Sequence, residues 1–122
     1  MFTHICVSAH NLEESCKFYA AVLAPLGAQD LGSFGERTYG FGKDGGRLLV
    51  TIPRDGNVAT HSNGGTIGFA APSREAVDAF HAAGLANGGT DEGEPGTRFR
   101  DDLYAAYLRD PVGNKICAYC GF

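Results

Sequence analysis

THICVSAHNLEESCKFYAAVLAPLG, residues 3–27, and GTIGFAAPSREAVDAFHAAGLANGG, residues 65–89, are the two stretches on which the fold turns. A shift of 62 residues superposes them without a gap. Nine of the 25 positions are then identical, among them Ile5 with Ile67, Glu13 with Glu75, Phe18 with Phe80, Leu23 with Leu85 and Gly27 with Gly89. Two alanine-rich helices match in part by composition, but the N-cap residues Asn11 and Ser73 also coincide, which ties the register to the helix start. Self-similarity at a fixed spacing marks one supersecondary unit used twice. In the first copy Ile5 and Val7 alternate with His4, Cys6 and Ser8, as a half-buried strand requires. A helix follows from Leu12 to about Leu23, with Asn11 as N-cap, Glu14 placed to close a capping box and Gly27 beyond its end. Its expected apolar stripe runs through Leu12, Cys16, Tyr19 and Leu23.

Outward from this unit, glycine-rich turns separate strand candidates around residues 28–32, 37–42 and 47–53, the last stopped by Pro53. Residues 54–64 read as a linker. The second copy continues through a bend at Gly88-Gly89 and an irregular acidic segment. A hairpin follows, Leu103–Arg109 and Lys115–Cys120, around Asp110-Pro111-Val112-Gly113-Asn114. The expected fold is α+β, two tandem βαβββ modules at about 1–56 and 63–122 within one domain, 1–122. One such unit cannot bury both faces, so helices should cover one side of the sheets and the other should curl into a cup.

With 122 residues and 43% hydrophobic content the chain suffices for one core and is too short for two ordinary domains. The net charge of −4 is scattered, with no basic block to neutralise phosphates, so nucleic acid is not an expected partner. No stretch approaches the roughly 20 apolar residues of a membrane span and the N-terminus lacks signal-peptide features, which points to a soluble cytoplasmic protein. The four cysteines lie in regular segments and read as reduced thiols. Cys117 and Cys120 have redox-motif spacing, but three residues apart on a strand they point to opposite faces.

His4, Phe18-Tyr19-Ala20-Ala21-Val22-Leu23, the run Phe69 to His81, Gly88-Gly89, Pro95-Gly96-Thr97-Arg98 and Asp110-Pro111-Val112-Gly113-Asn114 form an ordered set across both copies. This set resembles the glyoxalase/bleomycin-resistance/dioxygenase superfamily, the vicinal oxygen chelate proteins, over nearly the whole chain. The resemblance implies a cup-shaped site and often a homodimer. Members are metal-dependent lyases, isomerases, epimerases and dioxygenases, or metal-free drug-binding proteins, and fold alone does not choose among them. In the metal-dependent members the ligands come from the first and last strand of each module. The aligned positions here are His4, about Leu49, Thr66 and Cys117. Only His4 keeps the usual type; Leu49 donates nothing, Thr66 is a poor neutral ligand and Cys117 replaces a carboxylate with a soft thiol. No cofactor is therefore expected. A divalent metal would have to recruit Cys6 into a His4, Cys6, Cys117 cluster.

The remaining candidates have two readings each. His4 is a general base for a bound substrate, a relic of the ligand set, or a hydrogen-bonded residue without catalytic duty. Arg98 clamps a carboxylate or phosphate, or pairs on the surface with the adjacent Asp101 and Asp102. Tyr104, Tyr107 and Tyr119 form aromatic walls of a ligand site or parts of the core, and the hairpin register decides. Thr66, Arg98, Tyr104 and Tyr119 are the expected substrate-binding residues. His10, His61 and His81 read as solvated. The expected function is a superfamily protein that binds a small metabolite in the cup without a complete metal site. The alternatives are a metal-dependent lyase or isomerase of the lactoylglutathione lyase type, and a drug-binding resistance protein whose acidic balance suits a cation.

Overall fold

Period-two alternation, two capped helices and glycine turns assemble into strand, helix and three strands, twice over. The structure, a computed structural model, describes all residues from Met1 to Phe122. The first module comprises β1 (His4–Ser8), α1 (Leu12–Leu23) with a 3-10 turn (Ala24–Leu26), β2 (Gln29–Ser33), β3 (Thr38–Lys43) and β4 (Gly46–Thr51). The second comprises β5 (Thr66–Ala70), α2 (Arg74–Ala86), β6 (Thr90–Arg98), β7 (Arg100–Arg109) and β8 (Lys115–Cys120). Two four-stranded mixed sheets result, ordered β1-β4-β3-β2 and β5-β8-β7-β6. The fold is α+β with the tandem βαβββ layout, and β1 and β5 each pair on one side only.

Both helices begin where a side chain can satisfy an orphan amide. Asn11 Oδ1 accepts from the Glu14 N–H at 3.0 Å and Ser73 Oγ from the Ala76 N–H at 3.1 Å. Only the Asn11 half of the expected capping box forms. The buried face of α1 is Ser15, Phe18, Tyr19, Val22 and Leu23, rotated from the expected stripe, with Leu12 and Cys16 half-buried at its margin. The rotation has a cause in packing: α1 meets α2 as well as its own sheet. Phe18 reaches the second module at Gly89, where a Cβ would lie 2.5 Å from its ring. The helix-side faces of both modules thereby merge into one core of 17 buried residues.

A second link between modules is polar. Asp110, at the β7–β8 turn, accepts the backbone N–H groups of Val112, Gly113 and Asn114 on Oδ1, each at 2.9 Å. Its Oδ2 accepts the Tyr19 hydroxyl at 2.6 Å and the Asn114 side-chain amide at 2.8 Å. The turn that the sequence marks as Asp-Pro-x-Gly-Asn is thus fastened to α1.

The acidic stretch expected to be irregular is instead an edge strand, and β7 starts at Arg100 rather than Leu103. Its pairing to β7 shifts register between Asp91 and Gly93 and between Gly93 and Gly96. These irregularities accommodate Pro95 and two glycines at an edge, where a missing ladder bond is tolerated. No helix is long and apolar enough to cross a membrane.

Candidate functional site

Strand alternation gives each sheet a helix-covered face and an open one. On the first sheet His4, Cys6 and Ser8 share the open face with their register partners Arg47, Leu49 and Thr51. Leu31 and Phe34 lie over Gly40 and Gly42 of β3, close enough that a Cβ at either glycine would collide with them. The first open face therefore mixes a polar row on β1 and β4 with an apolar patch of Leu31, Phe34 and Leu49. His4 is exposed and its Nδ1 shares a 2.9 Å hydrogen bond with Thr3 Oγ1. A carboxylate that would orient the ring as a base is absent from its hydrogen-bond partners. A groove of about 380 Å³ runs between β1 and β5, with Ile5, Leu23, Leu26, Phe41, Ile67 and Phe69 along its apolar wall. His4 and Arg47 stand at this groove, whereas Thr66, Arg98, Cys117 and Tyr119 do not line it.

The second open face is more polar and carries most of the expected binding residues. The parallel pairing of β5 with β8 sets Thr66 beside Lys115, Gly68 beside Cys117 and Ala70 beside Tyr119. Antiparallel pairing of β7 with β8 brings Tyr107 opposite Cys117 and Ala105 opposite Tyr119. The Tyr107 and Tyr119 hydroxyls are hydrogen-bonded to each other, and their rings meet edge to face at 5.9 Å between centroids. Phe122 packs on Tyr119 in the same manner at 5.6 Å. From β6, the Arg98 guanidinium stands 5.9 Å from the Tyr107 ring centroid; from β8, the Lys115 ammonium stands 5.3 Å from it. Gly93 and Gly96 leave room for that guanidinium, since a Cβ at either would lie 3.2–3.3 Å from its nitrogens. Burial, and then the Tyr119 hydrogen bond, push the Tyr107 hydroxyl well above the ordinary tyrosine range.

Two expectations fail on register and packing. Tyr104 pairs with Cys120 on the helix-covered side; its hydroxyl donates to Asp78 of α2 at 2.6 Å and Arg74 stacks over its ring at 5.0 Å. Tyr104 therefore joins helix to sheet and is not part of the open face. His81, expected in solvent, is buried on α2 and hydrogen-bonded through Nε2 to Asp91 at 2.8 Å. Tyr107, weighed in the sequence as an aromatic wall or a core residue, joins the open face, and Lys115 joins it without having been singled out. Their signal, alternation with Cys117 and Tyr119, becomes readable only once the hairpin register is fixed.

The donor set does not fit a divalent cation held within one chain. Leu49 has no donor atom, Thr66 is neutral, and burial pushes the Cys117 thiol up to about 11, which keeps it protonated at neutral pH. His4, Cys6 and Cys117 do not gather, and no group of three His, Cys, Asp or Glu side chains stands close enough to share an ion. Cys117 and Cys120 fall on opposite faces of β8, and all four cysteines are unpaired.

Known proteins share this architecture. A glyoxalase/bleomycin resistance protein from Albidiferax ferrireducens T118 is 52% identical, covers 98% of this chain and 97% of its own, and superposes with a TM-score of 0.89. A glyoxalase-related enzyme from Fulvimarina pelagi (15% identity, 98% and 86% coverage, TM-score 0.79) has the same fold. So does a lactoylglutathione lyase from Agrobacterium tumefaciens (20% identity, 98% and 92% coverage, TM-score 0.69). No curated protein matches. The model of the Glyoxalase/Bleomycin resistance protein/Dioxygenase superfamily matches residues 2–118. With the tandem βαβββ modules, the open sheet faces and this match agreeing along the chain, the protein belongs to the glyoxalase/bleomycin resistance protein/dioxygenase superfamily.

Proposed function

We propose that this chain binds a small organic molecule on its open sheet faces and does so without the metal that many members of the superfamily use. The observation that carries the proposal is the second open face, where Arg98 stands by two interacting tyrosine rings, Tyr107 and Tyr119, and Thr66 shares the face beside Lys115. Aromatic walls with a few placed polar groups are the common makeup of small-molecule sites. His4, on the other sheet, supplies an imidazole at the groove and is the candidate for any proton transfer.

A homodimer suits the open sheets, whose edge strands, β1 and β5 among them, each expose a row of backbone groups that a second copy can cover. In a cytoplasmic setting the four cysteines remain thiols. A lyase or isomerase of the lactoylglutathione lyase type needs metal ligands that Leu49 and Thr66 do not supply. A resistance protein trapping a cationic drug needs acids at the site, where Arg98 and Lys115 stand instead.

A small-molecule screen followed by amide chemical shifts tests the proposal. Ligands should move the resonances of Thr66, Arg98, Tyr107 and Tyr119. Hits confined to the helix-covered side would overturn it.

A further inference from the structure

The ion pairs of the chain are His81–Asp91, Arg100–Asp102 and Arg109–Glu92. Arg98 and Lys115 take part in none of them. Arg98 forms no ion pair with Asp101 or Asp102; Asp102 is engaged by Arg100 at 2.8 Å and Arg98 turns to backbone carbonyls instead. Glu92, on the same strand as Arg98, is held by Arg109 at 3.0 Å. Most Lys and Arg side chains here form no ion pair, so what sets these two apart is place: in a chain with 14 acidic and 10 basic residues, both cations stand by one tyrosine ring.

Their donors are also free. Arg98 donates to two backbone carbonyls, those of Thr97 at 3.1 Å and Glu94 at 2.5 Å, which leaves three of its five N–H groups open. The Lys115 ammonium sits over the Tyr107 ring and forms no ion pair; the Glu92 carboxylate, which also feels its charge, is hydrogen-bonded to Arg109 instead. In the Tyr107–Tyr119 pair one hydroxyl donates to the other, so one proton remains available to a ligand oxygen. Tyr119 and Phe122 continue the face as an aromatic surface.

We infer that the second open face is selective for an aromatic carboxylate, its anionic group set between Arg98 and Lys115 above Tyr107 and its ring against Tyr119 and Phe122. This rests on the small-molecule reading above and adds the sign of the charge, opposite to that suggested by the net −4. A guanidinium fork matches a carboxylate geometrically, and a half-buried ammonium adds charge where water screens it less than on an open surface.

The probes are benzoate, its neutral analogue benzamide and the cation benzylamine, titrated against the full chain by calorimetry and amide shifts. Benzoate should bind with shifts at Arg98, Tyr107, Lys115 and Tyr119, and benzamide should bind roughly tenfold more weakly or worse. Arg98→Met and Lys115→Met should each weaken benzoate about tenfold and benzamide much less, and an unchanged amide spectrum away from this face shows that the variants are folded. Lys115→Glu should move the preference towards benzylamine. If benzamide or benzylamine shifts the same amides as well as benzoate does, charge selection is overturned and the small-molecule reading stands. If none of the three touches this face, both fall.

Discussion

The hydrogen bond from Tyr19 to Asp110 joins α1 of the first module to the β7–β8 turn of the second, so its removal tests how far the modules depend on each other. Tyr19→Phe keeps the ring and its edge-to-face contact with Phe18 at 5.1 Å, and deletes one hydroxyl. Tyr19 is 0% exposed and Asp110 4%, so no water replaces the lost donor. Asp110 Oδ2 retains Asn114 and Oδ1 retains three amides, so the carboxylate stays solvated by the protein. A hydrogen bond to a charged group contributes about 1.5–3 kcal/mol. For a chain of this length that predicts a fall in Tm of roughly 5–15 °C. Chemical denaturation should show the same loss with an unchanged m-value. The pH dependence has a fixed sign. Burial, then the Asp110 charge, hold the Tyr19 hydroxyl well above its ordinary value of 10.0. An acid whose folded pKa is raised contributes stability that is complete below its unfolded value and is lost as pH rises beyond it. The gap between wild type and Tyr19→Phe should therefore narrow above pH 10.0. A variant within about 0.5 kcal/mol of wild type at neutral pH would mean that the bond does not couple the modules, because that is the range of an ordinary surface change.

Other consequences are sharp enough to measure. Gly89→Ala places a Cβ 2.5 Å from the Phe18 ring and 2.9 Å from the carbonyls of Arg109 and Gly84, two of which are backbone and cannot swing away. It should cost about 1–3 kcal/mol or more in denaturant titrations, and a neutral result would mean that the helix contact yields easily. Asp91 is held below the usual carboxylate range first by the His81 hydrogen bond and then by the Gly93 amide. Its contribution is present above the unfolded value near 3.8 and fades as pH falls through the folded one, so His81→Ala should raise its midpoint in a carboxyl NMR titration. An unmoved midpoint would remove His81 as the cause. Exposed Cys6 should react first with a disulfide reagent, while Cys117, buried and raised to about 11, should stay unmodified until the chain unfolds. Early labelling of Cys117 would contradict its packing.

The repeat carried the fold because it acts locally: caps, glycine stops and period-two alternation each bias a few neighbouring residues, and Leu12–Leu23 emerges as a helix with the limits read from its caps. The β6 strand escaped notice for the opposite reason. Gly93, Pro95 and Gly96 argue against a strand, and only the pairing to β7 overrides them. Site residues depended on the same long-range information. Tyr104, Tyr107 and Tyr119 are equivalent by type, and a register fixed by β8 sends Tyr104 to the helices and the other two to the open face. His81 was misplaced because α2 is buried over an arc that includes it, with Asp91 arriving from a neighbouring strand.

The most direct test of the central claim is an amide-shift titration with small-molecule hits on protein stripped of metal by chelator. Perturbations at Thr66, Arg98, Tyr107 and Tyr119 should persist unchanged in the stripped protein. Binding that vanishes on stripping and returns with added divalent metal, accompanied by shifts at His4 and Cys117, would contradict it.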